Sequence, residues 1–230
     1  MKASIMNSQT KYMCRLFETI RIENGQPQHL RWHEERMRKS GLGVRDWGLG
    51  VGDSGLIPSN SFSLRYGTRH WLESLLQLPA NMKEGIVKCN VVYEKDILEI
   101  SYLQYLKRLV RSLKLVYADA IDYHLKYADR TALDALFALK GDCDDIIIVK
   151  DGLITDSSIS NLVFYDGIRW CTPEHPLLEG TCRARLIAGG QIEPVSIRPE
   201  DLNKYCGCKL INAMREMGEE EVVNIEHCHS

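Results

Sequence analysis

The chain has 230 residues, 44% of them hydrophobic and 26% charged, enough apolar material for one large domain or two smaller ones with a proper core. A net charge of -2 and a pI of about 6.4 leave no basic surplus for nucleic acid or an anionic membrane surface. The opening MKASIMNSQTKYMCRLFE lacks the apolar centre of a secretion signal and no later run reaches spanning length, so a soluble, cytoplasmic protein is expected.

In chain order, CRLFETIRI alternates, ENG turns and QPQHL resumes, which reads as a hairpin. WHEERMRKSGL follows as a helix closed by Gly41, and the Gly/Asp/Ser-rich residues 41–61 read as a loop. RHWLESLLQL looks helical. GIVKCNVVYEKDILEISYLQYL is a second hairpin turning at Glu94-Lys95-Asp96. KRLVRSLK then leads into the strand KLVYADAI, which places a boundary between a small N-terminal α/β domain, 1–112, and a larger domain, 113–230. DYHL reads as extended, and ADRTALDALFAL carries Ala132, Leu133, Leu136, Phe137 and Leu139 at helical spacing. IIIV, LIT, NLVFY and IRWC form a meander through KDG and YDG turns. LLEGTCRARLIAGG reads as loop into helix, EPVSI as a strand, PEDLNKY as a short helix and CKLINAM as a last strand. The fold class expected is strand-rich α+β, without the alternation of a doubly wound sheet.

Eight cysteines stand at 14, 89, 143, 171, 182, 206, 208 and 228. Most lie in apolar runs such as VKCNVV, so buried thiols are expected rather than disulfides. Cys206-Gly207-Cys208 and His227-Cys228-His229 do not have the spacing of a zinc finger or ribbon, and no metal site is assigned.

Four features carry chemistry when taken together. Lys126 stands between an extended run and a helix; a lysine aimed into a pocket from such a place can form a Schiff base if burial and neighbouring cations lower its pKa, although a lone lysine is ordinarily solvated. Asp156 in LITDSSISNLVF can keep a pyridine nitrogen protonated, although TDSS alone is more often an ordinary turn with Asp bonding its own backbone. Glu179-Gly180-Thr181-Cys182 offers backbone N–H groups and a helix dipole to a phosphate, or is a plain N-cap. Arg36, on the helix after the first hairpin, suits forked contact with phosphate, or an exposed ion pair.

FETIRIENG followed by His33 and Arg36, HLKYADR (His124 to Arg130), ITDSSISNLVF (Ile154 to Phe164), LLEGTCR (Leu177 to Arg183) and LINAM (Leu210 to Met214) occur in an order that resembles the class IV pyridoxal-phosphate aminotransferases. That family includes branched-chain and D-amino-acid aminotransferases and 4-amino-4-deoxychorismate lyase. The resemblance runs from about residue 14 to 215. It implies a small N-terminal α/β domain, a larger C-terminal domain with a barrel-like sheet, pyridoxal 5′-phosphate between them, a small-molecule amine substrate and a homodimer. Position by position, it implies Lys126 as Schiff-base lysine and general base, and Asp156 facing the pyridine nitrogen. It further implies Arg36 with the backbone of Gly180, Thr181 and Cys182 at the phosphate, Asn212-Ala213 closing the same end, and Ser158 and Asn161 alongside.

Three departures stand out. The family usually has glutamate where this chain has Asp156. The N-terminal strand and Gly-rich loop usually found ahead of FET are missing or shortened. Where the lyases place a carboxylate-gripping arginine after the strand matching KCNVVY, this chain has Tyr93, leaving Arg21, Lys88 and Arg130 as substitutes. The compact chain and the SISNLVF segment lean toward the lyase, which would release pyruvate and 4-aminobenzoate for folate synthesis. The missing arginine leans toward an amino-acid aminotransferase, and a cofactor-binding member without turnover stays open.

Overall fold

The computed structural model describes residues 14–40 and 70–224, with the backbone of 228–229. The 41–61 stretch, Gly41 and His227 lie outside the described residues. Strand β1 (Leu16–Glu23) pairs antiparallel with the short β2 (Gln26–Pro27) through a turn in which Asn24 (φ 47°) and Gly25 (φ 80°) are both left-handed, the geometry that matches strand twist. The second hairpin is β3 (Ile86–Tyr93) with β4 (Ile97–Gln104), and the sheet order is β2-β1-β3-β4. Along β3 the alternation is strict: Val87, Cys89, Val91 and Tyr93 are buried, whereas Lys88 and Asn90 look the other way. Helix α1 (Leu30–Lys39) lays Leu30, His33 and Met37, one face of the helix, against this sheet.

The helix expected over RHWLESLLQL is one turn of 3-10 helix, Glu73–Leu75. Leu72 is fully buried and Trp71, Leu76 and Leu78 pack on the same core, so nearly every apolar side chain there turns inward. Leu76 is already extended and Pro79 stops any continuation.

Beyond residue 112 the strands form two sheets. One has the order β13-β5-β6-β7, with β5 (Leu113–Tyr117), β6 (Asp145–Lys150), β7 (Leu153–Ile154) and β13 (Cys228–His229). The other has the order β10-β9-β8-β11-β12, with β8 (Asn161–Tyr165), β9 (Trp170–Pro173), β10 (Glu193–Val195), β11 (Gly207–Ile211) and β12 (Val223–Asn224). β12 and β13 come after CKLINAM, the last strand expected from the sequence. β5 and β6 are parallel and joined across α2 (Thr131–Phe137), and β9 and β10 are likewise parallel and joined across the helix Thr181–Ala188, two β-α-β crossovers where a plain meander was expected. The continuous apolar run of β6 is what a parallel strand covered on both faces requires. Leu113, Leu115, Ile147 and Val149 from one sheet and Leu162, Phe164, Cys208 and Leu210 from the other share one core. The sheets also touch through backbone. Ile148 N donates to Asp156 O at 2.8 Å, and Asp156 forms a bridge with Asn161, the first residue of β8. Helix α3 (Thr181–Ala188) packs against α1. Among the described residues no helix is long and apolar enough to cross a membrane.

Candidate active site

A cavity of about 290 Å³ is lined by Phe17 and Thr19 of β1, Lys88 and Asn90 of β3, Asn161 of β8 and the loops around residues 123–130, 156–160, 177–181 and 212–214. Lys126 is in its wall. The run DYHL before it is not a strand; residues 121–126 are irregular, and the rigid element is β1. Phe17 N donates to Lys126 O at 2.9 Å, Ala128 N donates to Arg15 O at 2.8 Å, and Leu16 and Tyr127 form the bridge between them. Leu125 and Tyr127 pack on the core of the first sheet, while Lys126 places its Nζ 4.3 Å from the centroid of the Phe17 ring. Burial first, then the Arg36 guanidinium, depresses the Lys126 amine to about 7, with Arg130 and Lys88 adding to the effect and Glu18 opposing it. A large neutral fraction near neutral pH is what a nucleophilic lysine needs.

Asp156 is 5% exposed and lines the same cavity. Its Oδ1 accepts from Asn161 Nδ2 at 2.7 Å and its Oδ2 from Leu178 N at 2.9 Å. Burial nevertheless dominates and raises its carboxyl to about 7, against the hydrogen bonds and the charge of Arg183. Asn161 Nδ2 also donates to Leu178 O at 2.9 Å, fixing the chain just before Gly180. At Gly180 a Cβ would lie 1.9 Å from Asn161 Oδ1, so only glycine allows that approach. Gly180 caps α3, whose first-turn N–H groups have no partner inside the helix.

Arg36 also lines the cavity, but it is not an exposed pair. Its Nε donates to Glu18 Oε1 at 2.7 Å, its Nη2 to Glu18 Oε2 at 2.5 Å and its Nη1 to Glu179 O at 3.3 Å. Glu18 is wholly buried. Burial would raise its carboxyl, but Arg36 and His33 overcome this and hold it at about 2. An ionised carboxylate only accepts, so His33, 2.7 Å away through Nδ1, carries its proton on that nitrogen. Asn212, at the end of β11, donates to Ser160 Oγ at 2.9 Å and to Ile159 O at 3.2 Å, tying its turn to the Asp156 segment.

Of the residues singled out in the sequence, Arg36, Lys88, Lys126, Arg130, Asp156, Ser158, Asn161, Gly180, Thr181, Asn212 and Ala213 line this one cavity. Three do not. Tyr93 is fully buried on the core face of β3, since it is an odd number of residues from Lys88 and Asn90. Arg21 is 3% exposed and clamped by Glu219 at 2.8 and 2.9 Å and by Glu23 at 3.2 Å. Cys182 lines a small hollow behind α3, with its thiol pushed by burial up to about 12. Sequence reasoning missed Phe17, Thr19, Asn90, Tyr105 and Tyr123 on the wall. It also missed Glu18, although a carboxylate on the Leu16-Ile20-Ile22 side of an alternating strand is a visible irregularity.

The described cysteines form no disulfide; Cys14 and Cys206 are exposed, and the other five are buried.

The family model for amino-transferase class IV matches residues 124–219, the span that contains Lys126, Asp156, Gly180 and Asn212. An uncharacterized protein of Haemophilus influenzae is 38% identical over 199 residues, which cover 86% of this chain and 97% of that one. A crystal structure from Haemophilus somnus, of a protein provisionally assigned as a 4-amino-4-deoxychorismate lyase, is 35% identical, with 90% of this chain and 99% of that chain covered and a TM-score of 0.70. A fold IV transaminase from Curtobacterium pusillum has the same fold at 16% identity, with 100% and 83% covered and a TM-score of 0.67.

Proposed function

Within the class IV aminotransferases, the family to which this chain belongs, we propose that it is a pyridoxal-phosphate-dependent lyase that converts 4-amino-4-deoxychorismate to 4-aminobenzoate and pyruvate. Members of the family depend on pyridoxal phosphate, and the donor set around this cavity fits that group. An amine with a depressed pKa stands on one wall and a buried carboxylate on another. The same cavity is lined by a helix N-terminus behind a glycine that admits no Cβ, and an arginine donates to the residue just ahead of that glycine. Pyridoxal phosphate, when bound, supplies the electron sink that stabilises negative charge at the substrate carbon bearing the amine.

The chain's own residues then have separable tasks. Lys126 would hold the cofactor through its Nζ and would take the proton from the substrate carbon that bears the amine. Asp156 keeps a proton on the ring nitrogen; both its oxygens are anchored, so it is not free to turn away. The first turn of α3, with Arg36, would bind the phosphate. Lys88 and Arg130 stand on the cavity wall with Asn90, Thr19 and Tyr105 and offer positive charge to substrate carboxylates.

One observation carries the lyase reading over transamination: the Haemophilus somnus protein matches over nearly all of both chains at 35% identity, whereas the transaminase structure shares the fold alone. Incubation of the reconstituted protein with 4-amino-4-deoxychorismate tests it. Equal release of 4-aminobenzoate and pyruvate supports the lyase. A yellow protein that makes neither, yet bleaches on addition of an amino acid, is an aminotransferase instead.

A further inference from the structure

Behind Arg36 is a buried carboxylate, Glu18, that the proposed chemistry leaves unused. Glu18 is 0% exposed on the face of β1 that otherwise carries Leu16, Ile20 and Ile22. A buried carboxylate costs far more than an apolar side chain in the same place unless its partners compensate. Its partners are Arg36, held through both Nε and Nη2, and His33. A guanidinium has five N–H groups in a fixed fork. Glu18 takes two of them from behind, so the opposite Nη1 edge is turned toward the Glu179 carbonyl, one residue before Gly180, and toward the cavity.

The same carboxylate matters to Lys126. The charged groups acting on that amine are Arg36 from α1, Lys88 from β3, Arg130 at the start of α2, and Glu18 from β1, with His33 of α1 also within its field. Glu18 is the negative member of this set.

We propose that Glu18 is a positioning residue of the site: its forked grip aims the outer edge of Arg36 at the phosphate end of the bound cofactor and balances the positive charge around Lys126. The proposal rests on the pyridoxal-phosphate reading above. A purely structural Glu18, tying α1 to β1, would change stability when mutated and nothing else.

Two variants separate the cases, E18Q and E18D, studied as apo-protein checked for fold by circular dichroism. Affinities for pyridoxal phosphate and for inorganic phosphate are measured by calorimetry. The pH midpoint of Lys126 reactivity toward an amine-acylating reagent is read by peptide mass. In E18Q both dissociation constants rise roughly 10- to 100-fold, the effect of disturbing a charge-assisted contact, and the Lys126 midpoint falls by roughly one unit because a stabilising negative charge is gone. E18D keeps the charge, so the midpoint stays near wild type while the shortened reach still weakens phosphate binding. Unchanged or tighter phosphate binding in E18Q, or an unmoved midpoint, overturns the proposal. If E18Q does not fold, E18D decides alone: unaltered affinity overturns the proposal and weakened affinity with a retained midpoint supports it. A wild-type protein that binds inorganic phosphate but no pyridoxal phosphate would instead remove the cofactor reading.

Discussion

Asp156 and Asn161 are joined twice, by a β-bridge between their backbones and by the 2.7 Å hydrogen bond from Asn161 Nδ2 to Asp156 Oδ1. Asp156 is also held by Ile148 of β6, and Asn161 begins β8, so the pair sits at the corner where two sheets meet. Asn161 reaches on to Leu178, and its Oδ1 faces Gly180. One asparagine therefore links the carboxylate wall of the cavity to the start of α3. The two chemical ends of the site are fixed relative to each other by a few short contacts rather than by a long loop.

That linkage predicts the effect of Gly180→Ala. The added methyl would meet Asn161 Oδ1 at 1.9 Å, and Asn161 cannot swing aside without giving up Asp156 or Leu178. A cost of about 1–3 kcal/mol is expected, as for other overpacked sites, together with weaker cofactor binding. On an Asn161→Ala background the same substitution should cost much less. A thermal-denaturation double-mutant cycle with additive effects would show that the clash is relieved elsewhere.

The order of the motifs was readable in the sequence because each is short and local: a lysine before a helix, an acid before a strand, a glycine before a helix. The mistakes arose where tertiary contacts override local pattern. DYHL has strand-like composition, but the partner that organises Lys126 is β1, more than a hundred residues earlier. RHWLESLLQL has helical residues, but its apolar side chains are drawn inward on too many sides for a surface helix. Motif position alone puts Tyr93 near the substrate, whereas strand parity puts it on the opposite face from Lys88 and Asn90. Arg21 has the correct parity but is occupied by Glu219, a contact no local pattern encodes.

Lys126→Ala tests the lysine directly. The side chain packs on Phe17 at the cavity rather than in a core cluster, so the fold should persist. The visible absorbance of lysine-bound pyridoxal phosphate should be lost, and turnover should fall by at least about 10²–10⁴, the range for a positioned proton-transfer group. Ultraviolet–visible spectra and product assays check both. An unchanged spectrum would mean that another amine holds the cofactor.

Asp156→Asn should separate binding from turnover. Asparagine is nearly isosteric and its one oxygen can still accept from Leu178 N, but its Nδ2 then faces the Asn161 Nδ2 donor, so the corner should loosen by about one hydrogen bond while the cofactor still binds. An amide cannot supply the negative charge that keeps the ring nitrogen protonated, so turnover should drop by roughly 10²–10³, the size of other lost electrostatic stabilisers. Steady-state kinetics beside a cofactor titration distinguish this from general destabilisation, which would weaken both.

The pH dependence of the cofactor-free chain follows from Asp156 and Lys126 together. Asp156 has its folded-state pKa raised from 3.8 to about 7. Between those values the native state binds more protons than the unfolded state, so this group makes stability fall as pH rises from about 4 to 7. Lys126 has its folded-state pKa lowered from 10.5 to about 7. Between 7 and 10.5 the unfolded state binds more protons, so this group makes stability rise with pH in that window. The two contributions meet near pH 7 in a stability minimum, each arm worth a few kcal/mol because one pKa unit is about 1.4 kcal/mol. Glu18 acts lower down: held at about 2 instead of 4.5, it contributes stability above pH 4.5 that is lost as pH falls toward 2. Denaturant titrations across pH 4–10 should show the minimum. Asp156→Asn should flatten the arm below pH 7, Lys126→Met should flatten the arm above it, and saturating pyridoxal phosphate should fill it in, because the cofactor engages both groups. A wild-type profile without a dip, or a dip that survives both substitutions, would mean that the two buried groups do not carry the pH response.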